Sequence, residues 1–409
     1  MGLLAQPRKP SWSASSAHRW MQCSGCVGLC RWVERSPSSI YAREGTAAHH
    51  LAAICLEDGC IHPTHLIGEK LTAEQYYEDD YTFTVSNDMA LAVGKYTSLI
   101  ESLASHHKET IILIEKKISL ASINKNMRGV IDCSLVVPGE SLKVLDYKHG
   151  KGVIVDIEDN EQLIYYALGV IEKLDSMGVD TDFKTIELFI VQPRSFGASI
   201  KSWLIDNPRK FVNTWHGKIK KAYIATIENQ DEYHINKDCR WCNGLVWCPK
   251  LKEFCLDIQR NIEGRYKQMK DLKPSELTEL IRVAPSVNAY LQAVAGHGKE
   301  LALNGKKFDG YKLVQAGRSS RNWLSGKEAD VISFLEDECF LDEEDFKTGK
   351  LMSPAQLEKE IPAKLFDKLG KFIHRKSSSG FALVPNSDRR QAVTTAEDDF
   401  EDDFDDLFS

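Results

Sequence analysis

The chain has 409 residues, 43% of them hydrophobic, enough apolar side chain for about two or three buried cores. No apolar run approaches the roughly 18 residues of a membrane helix, the first residues lack the apolar segment of a secretion signal, and Gln6 stands where an N-myristoylation motif wants Ser or Thr. The formal charge of −7 belongs to one end: residues 397–409 carry eight acids and no base, and without them 52 bases face 51 acids. A broadly basic nucleic-acid binder is therefore excluded, and any DNA contact must be a local groove. In a chain read as cytoplasmic, the 11 cysteines point to ligands or buried thiols rather than disulfides.

Residues 13–23 read as a Ser-capped helix start with Cys23 at its end, followed by Cys26 and Cys30. Residues 42–56 are an Ala- and Leu-rich helix carrying His49 and His50. Residues 58–80 read as loop, 84–107 as helix, and 110–119 as a strand bearing Glu115. Residues 129–148 then predict two apolar, β-branched strands joined at Pro138-Gly139-Glu140. If Val137 pairs with Ser141, the register sets Asp132 opposite Asp146, with Cβ atoms about 5 Å apart. Two opposed carboxylates repel unless a cation sits between them. Lys148, two residues past Asp146, points to the same face. Two acids and a lysine on one sheet face suit metal-assisted phosphodiester hydrolysis.

A short strand is expected at 153–155, then a helix over 160–174, capped by Asp159 with Gln162 completing a capping box. Gln162 and Tyr166 share one face of that helix, with Tyr165 in the core. Strands at 184–192 and 198–205 and a helix ending near Ile227 complete a mixed sheet flanked by helices. Cys239, Cys242 and Cys248 have metal-ligand spacing, and Cys255 would complete a local zinc ribbon. Beyond a basic connection at 263–275, helices are expected at 275–283, 286–304, 326–337 and 353–374. A strand from Gly310 should lead into a basic turn with Arg318 and Arg321, suited to phosphates. No Walker loop is present, so the chain is no ATP-driven motor by itself. The acidic tail cannot fold alone, and its Phe400, Phe404, Leu407 and Phe408 are spaced as on one helix face.

Asp132…Asp146-Tyr147-Lys148 resembles the signature of the PD-(D/E)XK nuclease superfamily. Gly45-Thr46-Ala47-Ala48-His49 and Gln162-Leu163-Ile164-Tyr165-Tyr166 resemble its RecB-type exonuclease branch, including the RecB-like proteins of phages and prophages. The resemblance covers roughly residues 13–255. It implies a restriction-endonuclease-like fold over 1–262, a mainly helical accessory domain over 263–389 and a disordered acidic tail over 390–409. It also implies a DNA exonuclease of phage recombination, repair or replication, in the bacterial host cytoplasm. By the same resemblance Asp132, Asp146, His49 and Glu115 hold Mg²⁺ or Mn²⁺, and Lys148 steadies the attacking water or the developing charge. Gln162 and Tyr166 position the strand, with Tyr166 contacting DNA. Ala53 departs from the family, where an acid often follows the His, which leaves Glu44 and Glu57 as the nearest substitutes. Cluster-bearing members have a single N-terminal cysteine, matched by Cys23, so Cys23, Cys239, Cys242 and Cys248 are expected to hold a [4Fe–4S] cluster, with zinc as the alternative. The expected partners are DNA with free ends and, through the acidic tail, a single-strand-binding or annealing protein or a separate helicase. A non-catalytic DNA-binding or scaffold protein with the same fold is the competing reading.

Overall fold

The computed structural model describes residues 4, 6–34, 38–57, 61–73, 81–151, 154–195, 198–262, 273–315, 322–324, 327–337, 341–342, 346, 351–374 and 380–393. The acidic tail and the Arg318–Arg321 turn lie outside these residues. The chain divides into two compact units, 1–293 and 294–409.

The first unit opens with a short 3₁₀ turn, Ala14–Ser16, then α1 (Ala17–Trp20) and α2 (Gly25–Cys30). Ser13 does not cap this start; its hydroxyl bonds Ser16 Oγ instead. α3 (Ile40–Glu57) follows, then a hairpin of β1 (Lys70–Ala73) and β2 (Tyr81–Thr84) where only loop was expected. α4 (Asn87–Ala104) starts at Ser86, whose hydroxyl accepts the Met89 amide. Next come β3 (Ile111–Ser119), β4 (Arg128–Val137), β5 (Ser141–Tyr147), α5 (Glu161–Ser176), β6 (Thr185–Val191), β7 (Ile200–Ile205) and α6 (Pro208–Glu228). The fold is mixed α/β. The five strands form one sheet in the order β3-β4-β5-β6-β7, antiparallel except for the parallel pair β5–β6 that α5 connects.

Two apolar layers enclose this sheet. On one face Leu142, Val144, Ile186 and Leu188 pack against Leu163, Ile164 and Leu168 of α5 and Phe211, Trp215 and Ile219 of α6. On the other, Cys133, Leu135, Leu145 and Phe189 pack against Leu51 and Ala52 of α3 and Met89, Val93 and Ile100 of α4. Alternate side chains along β5 thus feed opposite cores. Each large aliphatic residue buried there is worth about 1.5–3 kcal/mol relative to exposure.

Two local expectations fail for physical reasons. Asp159 does not cap α5; Asn160 does, its Oδ1 accepting the Leu163 amide at 3.1 Å. Asp159 instead takes φ 54°, the left-handed turn that lets the chain enter the helix one residue later. The strand expected at 153–155 is absent at Ile154 and Val155, where Val155 donates its amide to the Gln192 side chain; Val153 lies outside the described residues.

α7 (Pro249–Ile262) follows the cysteine-rich loop, and α8 (Pro274–Leu303) runs across the boundary between the two units. α8 is one helix where two were expected, because it accommodates Pro285 inside it. The second unit is mainly helical, with β8 (Tyr311–Gln315), β9 (Asn322–Trp323), α9 (Glu328–Asp337), α10 (Pro354–Glu360), α11 (Ala363–Lys368), β10 (Ile373–His374) and β11 (Phe381–Pro385). Its core joins Val331 and Leu335 to Phe346, Leu357, Phe366 and Leu369. The helix expected at 353–374 is cut at Pro362, which leads into α11. Among the described residues no helix is long and apolar enough to cross a membrane.

Candidate active site

The hairpin β4–β5 turns at Gly139, whose φ of 68° favours glycine, and a Cβ there would meet Asp180 Oδ2 at 2.6 Å. Val137 pairs with Ser141 and Cys133 with Leu145. The ladder ends there, with Asp132 and Asp146 next along the two strands and the Tyr147 amide donating to Asp132 Oδ2 at 2.7 Å. On the other side of β4, Ile114 pairs with Cys133 and Lys116 with Ile131, so Glu115 stands level with Asp132. Three acids therefore lie in a row across three adjacent strands.

The backbone is distorted at this row. Glu115 has φ 46°, unusual for a residue with a side chain. Ile131 packs into the α5 core and Cys133 into the α3–α4 core, although residues two apart on a strand normally share a face. β4 therefore turns over at Asp132, beside the left-handed residue of β3. Strain of this kind costs about 1–3 kcal/mol and is commonly kept where side chains must be aimed at a site.

Glu115, Asp132 and His49 of α3 converge so that one ligand atom from each lies within 4.8 Å of the other two. His49 Nδ1 is 3.4 Å from Asp132 Oδ1 and 3.6 Å from Glu115 Oε1. Asp132 Oδ2 accepts the Tyr147 amide at 2.7 Å. Carboxylate oxygens and an imidazole nitrogen form a donor set that fits Mg²⁺ or Mn²⁺. Glu44 and Glu57, the substitutes for the missing acid of α3, lie elsewhere: Glu44 pairs with Arg194 at 2.9 Å and Glu57 with Lys116 at 3.8 Å.

Asp146 is not part of that three-residue cluster. Its carboxylate, 2% exposed, is held by Lys148 Nζ at 2.9 and 3.1 Å and by Gln162 Nε2 at 3.1 Å. Gln162 Oε1 accepts from Lys148 at 3.2 Å, and Gln162 Nε2 also donates to Tyr166 Oη at 2.9 Å. Lys148 and Asp146 share a face, and the i, i+4 pair of α5 closes over both. Tyr165 is core, its hydroxyl donating to Trp12 O. Tyr166 is also nearly buried, so its hydroxyl braces Gln162 rather than facing open solvent.

Charge and burial compete throughout. Burial raises the Asp132 carboxyl, His49 opposes the rise, and the Glu115 charge adds to it. Burial lifts Asp146 to about 6 against the pull of Lys148. Burial would lower His49, but Asp132 and Glu115 overcome it and hold the imidazolium up to about 9. Lys148 is likewise kept protonated, with Asp146 and Asp132 outweighing desolvation.

One contributor was missed in sequence. Tyr147, between Asp146 and Lys148, points to the opposite face and meets the His49 ring edge-on at 5.5 Å, while its hydroxyl contacts His149 Nδ1 at 2.7 Å. Its place in an alternating strand signalled the face but not the partner.

The predicted cysteines line one cavity. The N-terminal segment reaches it because α2 docks against residues 230–233. The Gly25 amide donates to Glu232 O, and a Cβ at Gly25 would meet Tyr233 and Gln230 O below 3.0 Å. Cys23, Cys239, Cys242 and Cys248 border the cavity, with Cys26 beside Cys23. Cys30 Sγ lies 3.6 Å from Cys242 Sγ. Hydrogen bonding by Cys26 lowers the Cys23 thiol to about 6, and hydrogen bonding by Cys242 lowers Cys30 to about 7. Each pair thus has one sulfur disposed to the thiolate form that metals bind. Cys255 packs with Cys239, Leu251 and Tyr290 rather than bordering the cavity. Among the described residues no three cysteine sulfurs lie within 4.8 Å of one another.

The sheet and its acidic row define an α/β protein with a candidate cation site. A family model described as a protein of unknown function, DUF2800, matches residues 11–391, and the chain belongs to that family. Among solved structures, it is similar to a candidate exonuclease from Eubacterium rectale at 9% identity and a TM-score of 0.31, over 55% of this chain and 83% of the other. It is also similar to the protein SSO0001 at 17% identity and a TM-score of 0.22, over 39% and 71%. Similarity at this level leaves function to the site itself.

Proposed function

We propose that the protein is a metal-dependent deoxyribonuclease of the PD-(D/E)XK type, acting on free DNA ends. The observation that carries this reading is the row Glu115, Asp132 and Asp146 across β3, β4 and β5, with His49 at one end and Lys148 at the other. Like charges set side by side cost stability, most where Asp132 and Asp146 are buried, and a divalent cation removes that cost.

His49, Glu115, Asp132 and Asp146 would hold the cation, which when bound supplies Lewis acidity toward a phosphate oxygen and lowers the pKa of water. Lys148, kept protonated by its acidic neighbours, faces the negative charge that grows on the phosphate as water attacks phosphorus and the P–O bond breaks. Gln162 fixes the lysine and Asp146 relative to each other, and Tyr166 fixes Gln162. Tyr147 fixes the His49 ring. Exonuclease action in phage recombination, repair or replication is the role this assignment fits.

The cysteine cavity is read as the seat of a [4Fe–4S] cluster on Cys23, Cys239, Cys242 and Cys248, tying residue 23 to the 239–248 loop. Its function there is structural: it staples the two ends of the first unit together.

The decisive experiment is a single-turnover assay on DNA labelled at either end, with Mg²⁺ or Mn²⁺ and with Asp146→Ala as control. The wild type should shorten the DNA and the variant should not; equally intact DNA in both would leave a binding protein. A second expectation concerns pH. His49 must lose its proton to ligate, and its folded pKa is held up to about 9. Apparent Mn²⁺ affinity should therefore weaken by about tenfold for each pH unit below that value. Calorimetric titrations at a series of pH values would check this; a flat profile would remove His49 from the ligand set.

A further inference from the structure

We propose that the cleft between the start of α5 and the cysteine loop seats one single strand of nucleic acid, with Trp241 as a stacking platform for a base. The proposal rests on the nuclease reading of the neighbouring site and specifies which form of substrate reaches it.

The cleft is lined by Lys148 and Gln162 from the acidic site and by Trp241 from the cysteine loop. Trp241 is 52% exposed, unusual for the largest aromatic side chain, and the Arg240 guanidinium sits 5.1 Å from its ring centre. The loop that carries it is pinned: Arg19 Nη1 donates to the Trp241 carbonyl at 2.6 Å, and Cys239 and Cys242 anchor its flanks in the cysteine cavity. A fixed, exposed indole flanked by guanidinium groups is suited to stack on any base.

The charge is divided between the two walls. Arg19, Lys237 and Arg240 stand on the Trp241 side, which stays net positive with Asp238 counted. The segment leading into and starting α5 carries Asp156, Glu158, Asp159 and Glu161, and Gln22, near Arg19 in sequence, donates to Glu161 Oε1 at 3.4 Å. A duplex filling the cleft would press one phosphate backbone against those acids. A single strand can turn its phosphates to the basic wall and its bases to Trp241. The cleft therefore selects single strands, and it leads them toward Lys148.

The test uses the full-length protein purified anaerobically, with no divalent metal added so that cleavage does not obscure binding. The probes are a labelled oligothymidylate of about twelve nucleotides and a blunt duplex of the same length. Trp241→Ala should weaken single-strand binding by about 10- to 100-fold, and Trp241→Phe should retain most of it. Lys237→Ala should lower the salt dependence of single-strand binding by about 0.7 in log–log slope. Duplex binding should be weak and insensitive to all three changes. The proposal is overturned if Trp241→Ala binds the oligonucleotide like wild type, or if duplex binding falls in parallel. The two readings fail separately. Strand binding through Trp241 without cleavage in Mg²⁺ or Mn²⁺ would remove the nuclease assignment and leave the cleft. Cleavage with no dependence on Trp241 would remove the cleft alone.

Discussion

Asp132→Asn is expected to reduce Mg²⁺- or Mn²⁺-dependent hydrolysis by about 1000-fold or more while leaving the metal-free protein at least as stable as wild type. The loss follows from the position of Asp132 between Glu115 and Asp146 and its contact with His49. A cation's stabilisation of a phosphoryl transition state is worth several kcal/mol, and about 4 kcal/mol is a factor of about 1000. The stability follows from the same geometry. Asparagine keeps the shape and can still accept the Tyr147 amide, but it removes a buried charge facing Glu115. Like charges across a sheet cost about 0.2–1 kcal/mol, so the chelated variant should melt up to about 2 °C higher. Adding Mn²⁺ should reverse the order, because only the wild type gains from binding. Melting curves with chelator and with Mn²⁺ check both halves. An unchanged Mn²⁺-induced shift in the variant would show that Asp132 is no ligand.

Acidity gives the same site a second signature. Asp146 has a folded pKa raised to about 6, above the range of an unfolded aspartate. Its contribution to stability is therefore complete below an unfolded carboxyl's pKa and is lost as pH rises through about 6. Metal-free protein should gain stability from this group on mild acidification, and Asp146→Asn should flatten that part of the profile.

Much of the site was legible because one turn controls it. Pro138-Gly139-Glu140 sets the pairing of Val137 with Ser141, which carries the register to the level of Asp132, and period-2 alternation puts Lys148 on the face of Asp146. The i, i+4 spacing of Gln162 and Tyr166 was equally legible, since helix geometry alone places them on one face. What escaped depended on contacts between elements distant in sequence. Nothing in the strand β3 announces that Glu115 adopts φ 46°, or that β4 turns over beside it. The capture of Asp146 by Lys148 and Gln162 depends on how α5 packs over β5, which spacing does not decide. The hairpin β1–β2 was hidden because four-residue strands hold too few apolar positions to show a period. Pro285 misled because a proline inside a helix is read as a break, while α8 absorbs it.

Anaerobically purified protein is expected to be brown, with about four irons per chain, and Cys239→Ser or Cys242→Ser should remove the colour and unfold the cysteine region. The two metals make different demands on sulfur spacing. One zinc ion with Zn–S bonds of about 2.3 Å draws its sulfurs to about 3.8 Å from one another. No three cysteine sulfurs among the described residues come within 4.8 Å, although five cysteines border one cavity. A cube of iron and sulfide holds its ligands farther apart and can span what a single ion cannot. Cys26 and Cys30 provide the internal control. Each sits beside a predicted ligand, Cys23 and Cys242 respectively, and neither is needed for a four-ligand cluster. Cys26→Ser and Cys30→Ser should therefore keep the colour, whereas Cys23→Ser should lose it. Colourless wild-type protein carrying one zinc would overturn the cluster. Loss of colour in Cys26→Ser with retention in Cys23→Ser would move the N-terminal ligand by one helical turn and keep the staple.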